Sequence, residues 1–82
     1  MNLPVTNNYF PTDNFQLACF LLCEGCLLKS VDKSNPRRVI FNFENDENRK
    51  TVTDKFLRYE SLVEPHKFFS AQKDLKQLIY SD

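Results

Sequence analysis

The longest apolar run of the chain, residues 17–23, ends two positions before Gly25, its only glycine. On a helix, this run and Phe15 cover nearly the whole circumference, so most sides of the helix must be buried. The run is far shorter than the roughly 20 residues that span a bilayer. This feature therefore predicts a first helix around which the rest of the chain packs.

Residues on either side of the run predict where this helix begins and ends. Thr12 suits the N-cap position, and Asp13 is favourable at the positive end of the helix dipole. Gly25 is predicted to end the helix, because glycine enters the left-handed region without a steric penalty. Cys26 should follow as the last residue of the cap, packed back on Leu21.

Extended segments after the first helix predict a small sheet. Residues 26–31 are predicted as one strand and 37–44 as the next, joined by a turn at 32–36. The pair Tyr9–Phe10 can add a short strand before Pro11. The two main strands should pair antiparallel, with one face of the hairpin covered.

Two further helices are predicted after the hairpin. Asn45 or Asp46 can cap the second, and Pro65 suits the first position of the third. The apolar stripe of the second helix is thin, whereas the third repeats apolar residues at spacings of three and four. These stripes are Val52, Phe56 and Tyr59 in the second helix, and Phe68, Ala71, Leu75, Leu78 and Ile79 in the third, with Phe69 and Tyr80 at its margins.

The element order (β)αββαα predicts an α+β fold, with a small antiparallel β-hairpin sheet of two or three strands packed by three helices. Positions 1–82 are predicted as a single domain, with 1–8 as an extended arm. Hydrophobic residues make up 41% of the chain and aromatics 13%, which is typical of a globular rather than a disordered chain. An open sheet edge, or the exposed flank of the third helix, would allow a homodimer.

Three cysteines within eight positions, Cys19, Cys23 and Cys26, admit three interpretations. Their spacing matches the iron–sulfur motif of radical enzymes, but that chemistry needs a much larger barrel. With His66 they could form a structural zinc site of the Cys₃His type. We favour reduced thiols in the core, since buried cysteine behaves as a small hydrophobe. The sequence therefore predicts no metal and no cofactor.

The charge balance gives a hypothesis for a binding site. The chain has zero formal net charge, which argues against a strongly basic nucleic-acid binder. Its middle segment is positive, however, and Arg37, Arg38, Arg49 and Lys50 are candidates for phosphate contacts. The alternative is a solvated face in which these cations pair with neighbouring acids.

No pattern in the chain predicts catalysis, and no catalytic residue is assigned. It lacks paired-carboxylate spacing, a nucleophile elbow and a glycine-rich phosphate loop. His66 has no nucleophile near it in sequence. The first residues show no signal peptide and no membrane span is predicted, so we expect a cytoplasmic location and no membrane partner.

Short motifs spread over residues 9–80 resemble a small bacterial family described as a domain of unknown function. The family pattern has apolar or small residues at the three cysteine positions, and usually Asp where Glu64 stands. The resemblance implies a fold but no activity, cofactor or ligand. The motifs are Phe10, Thr12 and Asp13; Ala18, Leu21 and Gly25; Arg38, Val39, Phe41 and Phe43; Val63, Glu64 and Pro65; and Leu75, Lys76 and Ile79.

These observations together predict a small cytosolic non-enzymatic interaction domain, acting as a homodimer or as an accessory subunit of a larger assembly. Its partner is expected to be protein. The alternative is a nucleic-acid-binding accessory protein that uses the basic hairpin and the second helix.

Overall fold

The computed structural model describes residues 9–81, and the predicted arm at 1–8 lies outside the described residues. The described chain forms three strands and three helices in an α+β arrangement, which confirms the predicted fold class. The elements are β1 (Tyr9–Thr12), α1 (Phe15–Cys23), β2 (Leu28–Asp32), β3 (Ile40–Glu44), α2 (Glu47–Leu57) and α3 (Pro65–Tyr80).

The sheet is antiparallel with strand order β1-β3-β2, so β3 is the central strand. Phe43 lies opposite Phe10 on one side and Leu28 on the other. A bulge between Leu28 and Ser30 shifts the register of β2. The sequence allowed either two or three strands, and the structure has three, because β1 pairs with β3. β1 includes Pro11, which is tolerated at the edge of a sheet because proline lacks the N–H that a further strand would need.

The two hairpin strands start later than the sequence predicts. Residue 26 is used by the cap of α1, and β2 begins at Leu28. The backbone N–H of Arg37 donates to Asn35 Oδ1 at 3.0 Å, and that of Arg38 to the Asn35 carbonyl at 2.9 Å. The turn therefore extends past residue 36, and β3 begins at Ile40.

The core lies between one face of the sheet and the three helices. Phe41 and Phe43 of β3 are fully buried there, together with Phe20 of α1 and Leu75 of α3. The Phe20 ring packs 6.1 Å from the Phe56 ring of α2. α1 contacts both other helices, which confirms that the apolar run forms the centre of the fold.

The prediction that Thr12 caps α1 is wrong. The N-cap is Asn14, whose Oδ1 accepts a hydrogen bond from the Leu17 N–H at 3.1 Å. Thr12 is the last residue of β1, and its hydroxyl accepts from the Asn14 N–H at 3.1 Å. Asp13 lies outside the helix and pairs with Arg38 at 2.8 Å. Because the ladder with β3 holds Thr12, the helix begins two residues later.

The predicted end of α1 is confirmed. Gly25 has φ of 86°, and its N–H donates to the Leu22 carbonyl at 3.1 Å. The Cys26 N–H donates to the Leu21 carbonyl at 3.0 Å. These two bonds form a Schellman motif, which satisfies carbonyls that the helix leaves unpaired.

α2 ends in a second Schellman motif, with a tyrosine in the glycine position. The Glu60 N–H donates to the Lys55 carbonyl at 2.8 Å and the Tyr59 N–H to the Phe56 carbonyl at 3.2 Å. Tyr59 has φ of 59° and is 97% exposed. The prediction that Tyr59 belongs to the apolar stripe of α2 is therefore wrong, because this left-handed residue takes its side chain out of the helical register.

α3 begins at Pro65 as predicted and packs on the core through Ala71 and Leu75. Lys33, in the β2–β3 turn, donates from Nζ to the carbonyls of Leu78 at 2.9 Å and Ser81 at 2.6 Å. A cation on the last carbonyls satisfies unpaired acceptors and complements the helix dipole. The hairpin turn thus fixes the C-terminal end of α3. None of the helices within residues 9–81 has the length and hydropathy needed to cross a membrane.

Candidate functional site

The side of α3 turned away from the core carries a row of four exposed residues: Phe69, Lys73, Lys76 and Tyr80. Their spacings of four, three and four place them above one another on one side of the helix, and we call this row the α3 stripe. Phe69 is 62% exposed and Tyr80 is 79% exposed. At a rise of 1.5 Å per residue, the two aromatic residues lie about 16 Å apart along the helix axis.

A shallow groove of about 510 Å³ follows the α3 stripe. The stripe lines it together with Gln72 and Gln77, so no acidic residue is part of its lining. Within residues 9–81, neither Lys73 nor Lys76 forms an ion pair. The groove is therefore positive at its centre and aromatic at both ends.

Sequence reasoning placed Phe69 and Tyr80 only at the margins of the core stripe of α3. Their exposure follows from the helical angle, because Leu75 defines the buried direction and both aromatics lie well over 90° from it at 100° per residue. The signal that would have found the site was the 4-3-4 spacing, which interleaves two lysines with two aromatic residues.

A second groove, of about 400 Å³, lies between α1 and α3, and Cys23, His66 and Glu64 are among the residues that line it. Glu64 Oε2 accepts a hydrogen bond from the His66 N–H at 2.7 Å and lies 3.1 Å from His66 Nδ1. The His66 N–H bond lowers the pKa of Glu64. A thiol, an imidazole and a carboxylate are the residue types of a cysteine nucleophile with its base, and here the three border one groove although Cys23 is far from the other two in sequence.

The electrostatics of this second groove oppose nucleophilic chemistry. Burial raises the pKa of the Cys23 thiol above its ordinary value of 9.0, and the negative charge of Glu24 adds to the shift. A thiol with a raised pKa is mostly protonated at neutral pH and is a poor nucleophile. The His66 side chain is 93% exposed, so apart from the Glu64 carboxylate little of the protein surrounds it.

The other two cysteines lie in the core. Cys19 and Cys26 are buried, and all three are free thiols. Burial raises the pKa of Cys19 to about 11 and also raises the pKa of Cys26. In the described part of the chain, no three cysteine, histidine or acidic side chains are grouped so that they could hold a metal ion.

We expect these thiols to react with an alkylating reagent only slowly at about pH 7, because little thiolate is present. Cys23, which is half-buried, should react first and accelerate above pH 9, whereas Cys19 and Cys26 should react only when the domain unfolds. Mass spectrometry of the alkylated peptides after timed quenching measures all three rates. If Cys23 reacts at pH 7 as fast as an ordinary exposed thiol or faster, the conclusion that it is a poor nucleophile is wrong.

The four basic residues predicted to contact phosphate lie at two separate places. Arg37 and Arg38 precede β3, whereas Arg49 and Lys50 follow it on α2, so the length of β3 separates the pairs. Arg38 pairs with Asp13, and Lys50 lies 3.5 Å from a Glu47 carboxylate oxygen.

Arg49 is held within the fold more firmly than the other three. Its guanidinium lies 4.0 Å from the centre of the Phe10 ring and donates to Asn45 Oδ1 at 2.6 Å and to Thr53 Oγ1 at 3.3 Å. These contacts tie α2 to β1 and use one donor on each terminal nitrogen of the guanidinium, while Nε is buried without a hydrogen-bond partner among residues 9–81. Phosphate binding by the four residues stays a prediction.

Taken together, residues 9–81 form a small α+β domain that carries two open surface grooves, one along the α3 stripe and one between α1 and α3. The chain belongs to the family described as a domain of unknown function (DUF5659), which matches residues 7–81. This match confirms the expected membership of a domain family of unknown function. No curated protein and no solved structure matches the chain significantly.

Proposed function

We propose that this domain is a non-enzymatic interaction module of the bacterial cytoplasm that binds protein through the α3 stripe. The observation that carries the proposal is the exposure of Phe69 and Tyr80 on a helix whose opposite side is well packed. Exposed aromatic side chains are enriched where proteins bind each other, since they lose little conformational entropy and bury a large area. The partner is a larger assembly or a second copy of the chain.

The second groove supports an enzyme less well than the α3 stripe supports binding. Its one candidate nucleophile, Cys23, has a raised pKa, and its candidate base, His66, is solvated. Both grooves are shallow and open, whereas sites that act on small molecules usually enclose most of the ligand.

An affinity pull-down of the tagged domain from its native host, with and without nuclease, tests the proposal. We expect a stoichiometric protein partner that survives nuclease and is lost when Phe69 and Tyr80 are both replaced by serine. The matched control replaces Leu57 and Leu62 by serine. These residues are 66% and 89% exposed but lie outside the α3 stripe. The control should retain the partner.

Two results would contradict the proposal. Loss of the partner in both double variants would show that the α3 stripe has no special role. Recovery that depends on nucleic acid, and that fails when Arg37 and Arg38 are replaced by alanine, would favour the nucleic-acid-binding alternative. The exposure of these two arginines at the hairpin turn is the observation behind that alternative.

A further inference from the structure

We propose that the α3 stripe binds an acidic amphipathic helix of another protein and does not pair with a second copy of this chain. The inference rests on the proposed function, and it identifies the chemistry of the partner. It is carried by the arrangement of two lysines between two aromatic side chains on one helical face.

The central lysines determine the charge of the partner. Lys73 and Lys76 are three residues apart, which places their Cβ atoms about 5–6 Å from each other on the helix surface. Two carboxylates at the same helical spacing on a partner match this distance. Since no acidic side chain within residues 9–81 lines the groove, a carboxylate brought by a partner meets the two lysines and no negative charge that would repel it.

The aromatic residues at the two ends determine the length of the partner segment. Phe69 and Tyr80 are 11 positions apart, or about three helical turns. A partner helix with apolar residues at the same separation covers both rings and leaves its acidic pair over the lysines. Gln72 and Gln77 border the groove and supply amide groups for the polar rim.

The same arrangement disfavours self-association through this face. The midpoint of the α3 stripe falls between Lys73 and Lys76, so an antiparallel pair of α3 helices places Lys73 of one copy against Lys76 of the other. A parallel pair places each lysine against its own counterpart. Both arrangements bring like charges together where a two-fold interface would be most buried.

Binding to a designed probe tests the inference directly. The probe is an alanine-based helical peptide of about 18 residues, with leucines 11 positions apart and two glutamates between them in the 4-3-4 spacing. The comparison peptide carries lysines in place of the glutamates. Fluorescence anisotropy of the labelled peptides against the domain gives both affinities, and circular dichroism checks that each variant of the domain is folded.

We expect the acidic peptide to bind and the basic peptide not to bind at about 1 mM. Replacing Lys73 and Lys76 by glutamate should weaken the acidic peptide about tenfold or more and should create binding of the basic peptide. The matched control replaces Lys29 and Lys67 by glutamate, which changes the net charge equally away from the α3 stripe and should alter the affinity less than about threefold. Added salt should weaken the acidic peptide, because exposed charges are screened.

Four outcomes would overturn the inference. In the peptide experiment, these are no binding of the acidic peptide, or equal binding of both peptides. The other two are a single-stranded oligonucleotide that binds more tightly than the acidic peptide and no longer binds the Lys73 and Lys76 variant, and a dimer in sedimentation that is lost when Phe69 and Tyr80 are both replaced by alanine. The pull-down tests the proposed function separately from the chemistry of the partner. A native partner that needs Phe69 and Tyr80 but tolerates the lysine replacements would retain the interaction function and reject the acidic partner.

Discussion

Replacing Phe43 by alanine is expected to remove a large fraction of the stability of the domain. Phe43 is 0% exposed on the central strand and lies opposite Phe10 and Leu28 of the two neighbouring strands. Removing a buried phenylalanine lowers the free energy of unfolding by about 3–5 kcal/mol. A chain of this length has a total stability of only about 4–12 kcal/mol, so the loss is a large fraction of it.

Chemical denaturation followed by circular dichroism measures this effect, and Phe69→Ala is the matched control. Phe69 is 62% exposed, so its removal should change the free energy of unfolding by no more than about 0.5 kcal/mol. If Phe43→Ala and Phe69→Ala lower stability equally, either the sheet face is not the core or the α3 stripe is not exposed.

Gly25→Val is expected to destabilise the domain by about 1–2 kcal/mol, because a β-branched residue is strained at positive φ. Nothing lies within 4 Å of a Cβ placed on Gly25, so the loss comes from the backbone and not from a clash. Gly25→Ala should therefore also destabilise, with a smaller effect. A neutral Gly25→Val in the same denaturation experiment would show that α1 does not end in the Schellman motif.

Tyr59→Gly changes the equivalent cap residue of α2 and should raise the free energy of unfolding, where Gly25→Val lowers it. Tyr59 occupies the same cap position in α2 with φ of 59°, and its side chain is almost fully exposed, so removing it sacrifices little packing. Glycine relieves the strain of the left-handed backbone, and this gain should exceed the entropic cost of the greater freedom that glycine has in the unfolded chain. The free energy of unfolding should therefore rise by up to about 1 kcal/mol. Destabilisation by Tyr59→Gly would show that the tyrosine ring makes contacts that stabilise the fold.

The sequence predicted the features that depend on a few neighbouring residues. Gly25 ends α1 because only glycine lacks the steric penalty there, and Pro65 begins α3 because its ring presets a helical φ. The sheet face that bears Phe41 and Phe43 followed from their alternation along the strand. Element order and fold class followed from the same local periodicities.

Errors arose where a neighbouring element competes for a residue. Thr12 has the chemistry of an N-cap, but pairing with β3 holds it in a strand and transfers the cap to Asn14. Tyr59 fits the helical spacing of α2, but the helix ends at Leu57, two residues before it. In the candidate site, the spacing of Phe69 and Tyr80 was readable from the sequence, whereas their placement on the exposed side of α3 was established by the burial of Leu75.

The sequence by itself determined that this chain builds an α+β domain around one apolar helix, because helix ends and hydrophobic periodicity are local properties. Only the tertiary structure decided which surfaces remain open. The packing of α3 through Leu75 turns Phe69 and Tyr80 outward, and the packing of α1 beside α3 brings Cys23 and His66 into one groove. Exposure depends on which elements cover a residue, and contacts between residues distant in sequence fix that property.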